Sequence, residues 1–155
     1  MNLSAPLPPL YRTIRDEWID YNGHLNEAYY VLLFSEAVDA IMNEVGMDVD
    51  YRHRTGCSLF TVESHVRYLD QILPKSEVQI DNYVIAVDSK KIVTWHEIRV
   101  DGTLRATEEA LGLHVDVGAS KSTAFPEDIR RRLSQHLTAA PSASGRSITL
   151  TGQLA

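Results

Sequence analysis

The sequence contains a single cysteine, no long apolar run and fewer basic than acidic residues. With only Cys57, an internal disulfide framework and a Cys-rich zinc site are excluded. No apolar run approaches the ~18 residues that a transmembrane helix needs, so we expect no membrane partner. Lys and Arg total 15 against 21 Asp and Glu, and the resulting formal charge of −6 argues against a general nucleic-acid partner.

Several catalytic and targeting motifs are also missing. There is no Gly-x-Ser-x-Gly elbow, no His-Glu-x-x-His pair and no glycine loop that would cradle a phosphate. We therefore expect no metal site and no cofactor. The N-terminal prolines follow no cationic start and no apolar stretch, so we expect no secretory signal and a cytoplasmic protein.

The chain is long enough for one domain, with 155 residues of which 44% are apolar. Residues 1–10 are predicted to form an extended arm, because their prolines forbid a helix. Residues 11–137 are predicted to form the domain. Residues 138–155 are rich in Ser, Thr, Ala and Gly and are predicted to be a tail, in which residues 147–150 could form an edge strand.

One long helix is predicted over residues 25–45, where the only polar stripe is narrow and is formed by Glu36, Asp39 and Asn43. Asn22 or Asn26 can cap its start, and a glycine follows its end. A helix with so narrow a polar stripe is typical of one that other elements cover on most sides.

Alternating apolar residues predict strands over 57–69, 78–87, 90–100 and 103–117, with turns at 88–89 and 101–102 and a short helix after residue 125. In the first strand, Phe60, Val62, Val66 and Tyr68 are predicted to face the helix. This order predicts an α+β fold in which a curved antiparallel sheet wraps one long central helix. Its open edges favour a homodimer.

Polar residues cluster just before the long helix, in the run that contains Asp20, Asn22, His24 and Asn26. The first N–H groups of a helix have no internal partner and can hold a developing oxyanion. Asp20 is placed to act on a carbonyl group held there. Alternatively, Asp20 and Asn26 are only turn and cap residues.

The run Asp20-x-Asn22-Gly23-His24-Leu25-Asn26-x-x-x-Tyr30 resembles the fingerprint of hotdog-fold acyl-CoA thioesterases of the 4-hydroxybenzoyl-CoA thioesterase superfamily. The resemblance covers about residues 11–135, and the predicted order of elements is that of the hotdog fold. Residues 18–24 and 61–68 are most similar to the betainyl-CoA thioesterases of carnitine breakdown.

The resemblance implies a homodimer or homotetramer that hydrolyses a small acyl-CoA to free acid and CoA, with betainyl-CoA as the first candidate. CoA is then part of the substrate and not a cofactor. Three alternatives remain: an aromatic or short aliphatic acyl-CoA as substrate, a module that binds a thioester or metabolite without turnover, and a dehydratase.

The family's acidic residue maps to Asp20, which would be either a general base or a nucleophile that forms a mixed anhydride. Asn22, His24 and Asn26 would orient Asp20, the water or the carbonyl group. The sequence leaves both routes open.

A trimethylammonium group is best held by aromatic faces and a nearby acid. The predicted substrate-binding residues are Trp18, Tyr30, Glu63 and Tyr68, although aromatic residues at such positions often belong to the core and Glu63 could lie on a solvated face. The phosphates of CoA require cations, and the predicted CoA-binding residues are Arg54, Lys90 and Lys91, which could instead be ordinary surface residues.

Overall fold

A computed structural model describes residues 6–145 of the chain. The elements run in the order β1 (Leu10–Thr13), a 3₁₀ turn (Asp16–Trp18), α1 (Glu27–Glu44), α2 (Val49–Thr55), β2 (Cys57–Tyr68), β3 (Glu77–Val87), β4 (Lys91–Val100), β5 (Thr103–Asp116), β6 (Lys121–Ser122) and α3 (Glu127–Gln135). The predicted edge strand at residues 147–150 and the start of the predicted arm lie outside the described residues. None of the helices between residues 6 and 145 combines the length and apolarity needed to span a lipid bilayer.

The strands form one curled antiparallel sheet with the order β1-β3-β4-β5-β2, and β6 pairs with β5. We call the side on which α1 packs the inner face. It carries Ile80, Ile98 and Ala106, which are all completely buried. We call the other side the outer face.

Both ends of α1 are fixed by residues that suit them. Asn26 caps the start, where its side-chain Oδ1 accepts the N–H of Ala28 at 3.0 Å. At the other end Gly46 has a φ of 86°, and the N–H of Met47 reaches back to the carbonyl of Met42 at 2.7 Å. This is the Schellman arrangement, in which glycine is favoured because the backbone is left-handed.

The sheet of one chain covers only one side of α1. Leu33, Phe34 and Ala37 are completely buried against the sheet. A second stripe of the helix, formed by Ala28, Val31, Leu32 and Ser35, is exposed. The sheet of a single chain therefore leaves this stripe of the helix exposed.

The predicted faces of β2 are wrong for its first half. Phe60 and Val62 are 49% and 53% exposed, whereas Leu59 and Val66 pack against the core. A bulge at Thr61 to Glu63, opposite β5, inserts one extra residue and exchanges the two faces between the halves of the strand. Simple alternation along the sequence does not reveal such an insertion.

The described part of the predicted tail crosses the outer face of the sheet. The N–H of Thr138 donates to the carbonyl of Val84 at 2.8 Å, and the N–H of Gly145 donates to the carboxylate of Glu109 at 2.6 Å. Between these anchors, residues 138–141 lie beside Trp95, which is only 3% exposed although it is on the outer face. Residues 138–145 therefore form a strap over this aromatic side chain.

Candidate active site

A cleft of about 510 Å³ opens at the N-terminal end of α1. Four polar residues of the predicted motif line it, and so do two of the predicted aromatic residues: Asp20, Asn22, His24, Asn26, Tyr30 and Tyr68. The structure thus brings all four predicted catalytic residues together at one opening.

A tight turn holds Asp20 at this opening. The N–H of Asp20 donates to the carbonyl of His24 at 2.9 Å, and the N–H of Gly23 donates back to the carbonyl of Asp20 at 3.0 Å. Gly23 has a φ of 79°, which L-residues rarely adopt. The carboxylate Oδ1 of Asp20 accepts the N–H of Asn22 at 2.8 Å, while Oδ2 forms no hydrogen bond with any residue between 6 and 145.

The turn is anchored to the rest of the domain on both sides. Ile19 and Leu25 form a short antiparallel bridge, and the N–H of Leu25 donates to the carbonyl of Ile72 at 2.9 Å. The N–H of Asn26 donates to the carbonyl of Trp18 at 3.0 Å. A side chain carried by a turn held in this way keeps its position, as a catalytic group requires.

The start of α1 offers fewer unpaired N–H groups than the sequence suggests. Asn26 uses its side chain for the N–H of Ala28 and its carbonyl for the N–H of Tyr29. The N–H of Glu27 has no hydrogen-bond partner among the described residues. It is the donor at this helix end that remains for a ligand.

Tyr30 and Tyr68 form an aromatic pair beside the cleft. Their ring centroids are 5.1 Å apart and their planes are perpendicular. Burial raises the pKa of both phenols, and the nearby carboxylates of Glu27 and Glu108 raise the pKa of Tyr68 further. Both hydroxyls therefore stay protonated at neutral pH.

Trp18 lies in the core and is not part of the cleft lining. Its side chain is only 7% exposed and stacks on Tyr29 with the ring centroids 5.3 Å apart. The guanidinium of Arg15 lies 5.1 Å from the centre of the Trp18 ring. Among the described residues, Trp18 is therefore not placed at the cleft where it was predicted to contact the substrate.

Glu63 lies on the outer face, away from the cleft. Its carboxylate is 3.1 Å from Nε2 of His65, and both residues border a small hollow with Val93, Glu109 and Leu111. The bulge in β2 fixes this orientation. The structure therefore separates Glu63 from Tyr30 and Tyr68, with which it was predicted to hold the acyl group.

The predicted CoA-binding cations lie at the opposite end of the sheet. Lys90 is in the β3–β4 turn and Lys91 begins β4, and their N–H groups donate to the Asp88 carboxylate at 2.8 and 2.7 Å. Arg54 is in the last turn of α2, next to the first residue of β2, whereas the cleft is beside Tyr68, the last residue of β2. A strand of this length extends over roughly 35–40 Å, so one chain does not bring these cations to its own cleft.

Sequence reasoning missed two groups near the cleft. Asp70 lines it and forms an ion pair with Arg105. The other group is a buried polar row on the inner face, formed by Asn82, His96 and Glu108, which lie directly opposite one another on β3, β4 and β5. An acid between the small residues Ala106 and Ala110, at alternate positions of the strand, was the available signal.

The buried polar row is held by neutral side chains. Nδ1 of His96 is 2.8 Å from Oδ1 of Asn82, and Nε2 is 2.9 Å from the hydroxyl of Thr94. Complete burial lowers the pKa of His96 to about 3. Burial raises the pKa of Glu108 to about 7, with the Ser64 hydroxyl acting in the opposite direction. Among residues 6–145, no three His, Cys, Asp or Glu side chains are grouped in a way that would hold a metal ion.

The profile of the thioesterase-like superfamily matches residues 14–133, which is most of the chain. This chain belongs to the thioesterase-like superfamily. Among curated members, it is 33% identical to a betainyl-CoA thioesterase of Pseudomonas aeruginosa, over 84% of each chain. It is 37% identical over 79% of its length to an L-carnitine dehydrogenase/betainyl-CoA thioesterase of Agrobacterium fabrum. The match spans only 25% of that longer relative.

Solved structures of similar proteins show the same architecture. A putative thioesterase of Pseudomonas putida is 32% identical and has a TM-score of 0.81, with 96% of this chain and 99% of that chain covered. A hypothetical protein of Staphylococcus aureus, solved in complex with CoA, is 23% identical with a TM-score of 0.88, covering 96% and 98% of the two chains. The hotdog fold predicted from the sequence is therefore confirmed.

Proposed function

We propose that this chain is an acyl-CoA thioesterase that hydrolyses betainyl-CoA to glycine betaine and CoA. The observation that carries the proposal is the 33% identity to a betainyl-CoA thioesterase over 84% of both chains. The cleft at the start of α1, with the Asp20 carboxylate on its rim, supports the same conclusion. Besides water the reaction needs no metal and no cofactor, and the acyl-CoA pool makes the cytoplasm the proposed location.

In the proposed mechanism the Asp20 carboxylate takes a proton from a water molecule as its oxygen bonds to the thioester carbon. The carbonyl oxygen becomes negatively charged and accepts the N–H of Glu27, at the positive end of the α1 dipole. The C–S bond then breaks, and the CoA thiolate takes the proton from Asp20. Thiols have a pKa of ~8.5, so the thiolate leaves without a strong acid.

A second route has the Asp20 carboxylate attack the thioester carbon itself. The C–S bond breaks to give a mixed anhydride and the CoA thiolate, and water then hydrolyses the anhydride. Detection of ¹⁸O in Asp20 by mass spectrometry after a single turnover in ¹⁸O-water would establish the anhydride route. Attack by water at the anhydride's aspartyl carbonyl places ¹⁸O in Asp20, whereas the general-base route places it only in the product.

We propose that the aromatic pair Tyr30 and Tyr68 faces the trimethylammonium group of the substrate. Such a cation donates no strong hydrogen bonds and is attracted to the faces of aromatic rings, typically by about 0.5–2 kcal/mol. Both residues line the same cleft as Asp20, and the planes of their rings are perpendicular to each other.

We propose that the protein is at least a homodimer. In a single chain, the stripe of α1 formed by Ala28, Val31, Leu32 and Ser35 is exposed, and so are the apolar residues Phe60 and Val62 of the edge strand β2. A second copy related by a two-fold axis would pair its β2 antiparallel to this one and cover both.

The Cys57 end of the partner strand would then approach the Tyr68 end of this one. Arg54, Lys90 and Lys91 of the second copy would come near this cleft and could bind CoA.

Light scattering after size-exclusion chromatography tests the assembly, and the expected mass is at least twice the 17.4 kDa of one chain. Val31→Arg should shift the protein toward the monomer and lower its activity. Val49→Arg, at a residue exposed elsewhere, should change neither. A fully active monomer would refute the dimeric site.

Thiol release from a panel of acyl-CoA esters tests the activity. The panel contains betainyl-CoA, its uncharged carbon isostere 3,3-dimethylbutyryl-CoA, benzoyl-CoA and butyryl-CoA, each with and without EDTA. We expect the highest kcat/KM with betainyl-CoA, by roughly tenfold or more, and no effect of EDTA. Faster release from benzoyl- or butyryl-CoA would identify one of the alternative substrates, and tight binding without release would identify a binding module.

A further inference from the structure

Glu108 is a buried carboxyl group for which the hydrolysis mechanism has no use. It is 4% exposed and lies on the inner face of β5, between Ala106 and Ala110 on the same face. Strand interiors disfavour acids, and an unpaired charged group in such a place is costly. An apolar residue at this position would avoid the free-energy cost of desolvating a carboxyl group, so the presence of Glu108 requires an explanation.

None of the described residues compensates its charge. No Lys, Arg or His nitrogen between residues 6 and 145 lies within ion-pair distance of Glu108. His96, directly opposite on β4, is neutral and uses both ring nitrogens for Asn82 and Thr94. The Ser64 hydroxyl is the group that favours the charged form of the carboxyl.

The sheet register places Glu108 next to Tyr68, one member of the aromatic pair. Val66 on β2 is opposite Glu108, and Tyr68 is opposite Ala106, so Tyr68 and Glu108 are diagonal neighbours on one face. Such neighbours are about 7–8 Å apart at the backbone, within reach of long side chains. The phenol of Tyr68 senses the charges of both Glu27, on the cleft, and Glu108. Tyr68 therefore lines the cleft and is also a neighbour of Glu108.

We propose that Glu108 determines the specificity for a cationic acyl group, because its carboxylate is next to Tyr68, against whose ring the quaternary ammonium of the bound substrate would pack. This inference rests on the proposed function. In betaine esters two bonds separate the ammonium nitrogen from the thioester carbon, so a carbonyl held at the start of α1 puts the cation beside Tyr30 and Tyr68. A neutral acyl group of the same shape would leave the carboxyl without a partner.

The arriving cation also changes the protonation of the site. In the free protein burial favours the protonated form of Glu108, whose pKa is about 7. A positive charge nearby lowers that pKa, and the carboxyl becomes a carboxylate that compensates the ammonium. Ser64, His96 and the two tyrosines contribute no charge at neutral pH, so Glu108 is the acid on the inner-face side of Tyr68, whereas Glu27 lies on the cleft.

Specificity of Glu108→Gln toward two isosteric substrates tests this inference. Glu108→Gln preserves shape and removes the charge. Its kcat/KM should fall roughly 10- to 100-fold with betainyl-CoA and change less than threefold with 3,3-dimethylbutyryl-CoA. Glu108→Asp should keep part of the preference. The matched control is Glu109→Gln, the next residue, on the outer face, which should leave both values unchanged.

Each remaining result is decisive. Equal losses on both substrates, or an unchanged preference for the cation in Glu108→Gln, would overturn the role of Glu108 while leaving the proposed function intact. A wild-type protein that does not prefer betainyl-CoA over its isostere would overturn the proposed substrate and this inference together. Thermal unfolding of each variant identifies one that loses activity because it does not fold, in which case Glu108→Asp carries the comparison.

Discussion

Two regions of the domain each contain a carboxyl group and an imidazole, and they differ in nearly every other respect. In the cleft, Asp20 and His24 are partly exposed, and the hydrogen bonds of Asp20 come from residues within four positions in the chain. In the buried polar row, the partners of His96 include Asn82 from the neighbouring strand, and burial favours the neutral forms of both His96 and Glu108. Position in the fold, and not residue type, decides whether such groups are available for chemistry with water.

The largest effect that separates the regions is expected for Asp20→Asn. Asparagine can still accept the N–H of Asn22 through Oδ1, so the turn should persist while the base or nucleophile is lost. We expect kcat to fall at least ~1,000-fold, consistent with the loss of a positioned general base. Thiol release measures this effect. Asp16→Asn, an exposed acid 4.0 Å from Lys75, is the control. A loss below threefold would remove Asp20 from the mechanism.

The next effect concerns acid stability and His96. The pKa is lowered to about 3 in the folded protein from 6.5 in the unfolded chain. Its contribution to stability is present above pH 6.5 and is lost as the pH falls through 3. At pH 4 the loss is about 3 kcal/mol. In urea unfolding, His96→Gln should lose less stability between pH 7 and pH 4 than the wild type. Exposed His53→Gln should behave as the wild type does, and identical slopes in all three proteins would exclude this role.

A smaller effect of opposite sign is expected for Glu108. Its pKa is raised to about 7 from 4.5, so its contribution to stability is fully present below pH 4.5 and is lost as the pH rises through 7. The shift corresponds to about 3 kcal/mol, but a buried amide is also desolvated, so we expect Glu108→Gln to be more stable than wild type at pH 8 by about 2 kcal/mol. Near pH 4, where Glu108 is protonated, only the desolvation of the amide remains, and the variant should be less stable than wild type by about 1 kcal/mol. Urea unfolding at both pH values measures this, and a variant less stable at pH 8 would contradict it.

The smallest effect belongs to the cleft again. Asn26→Ala removes the cap of α1 and should cost about 1 kcal/mol in the free energy of unfolding. Asn26→Ser retains an acceptor and should recover most of that stability. If both variants unfold as the wild type does, the hydrogen bond to Ala28 contributes little. Comparing the activities of the two then separates capping from any direct role of the amide.

Local signals explain why most elements could be predicted. The four long strands begin and end within one residue of their predicted limits. The turn at Asp101 and Gly102, with φ values of 49° and 76°, is of the kind that such a dipeptide favours. The positions of Asp20, Asn22, His24 and Asn26 at one opening also follow from a short segment of chain.

Features that depend on distant strands could not be predicted. The bulge in β2 exchanges the faces of Phe60 and Leu59, and only pairing with β5 reveals it. Glu63 was therefore assigned to the wrong neighbourhood. Conversely, Glu108 was overlooked because its proximity to Tyr68 depends on the register of strands about 40 residues apart in the sequence. The separation of Lys90 from the cleft likewise depends on which end of the sheet each turn occupies.

Because residues 138–145 form a strap over Trp95, the residue at which an expressed chain ends determines whether this side chain is exposed. Ending the chain at Leu137 would remove Thr138, Ala139 and Pro141 from the side of Trp95 and expose an indole ring that is now 3% accessible. Shortened versions would therefore have a newly exposed aromatic patch on the outer face of the sheet. Their solubility would report on that patch, even with a chemically intact cleft.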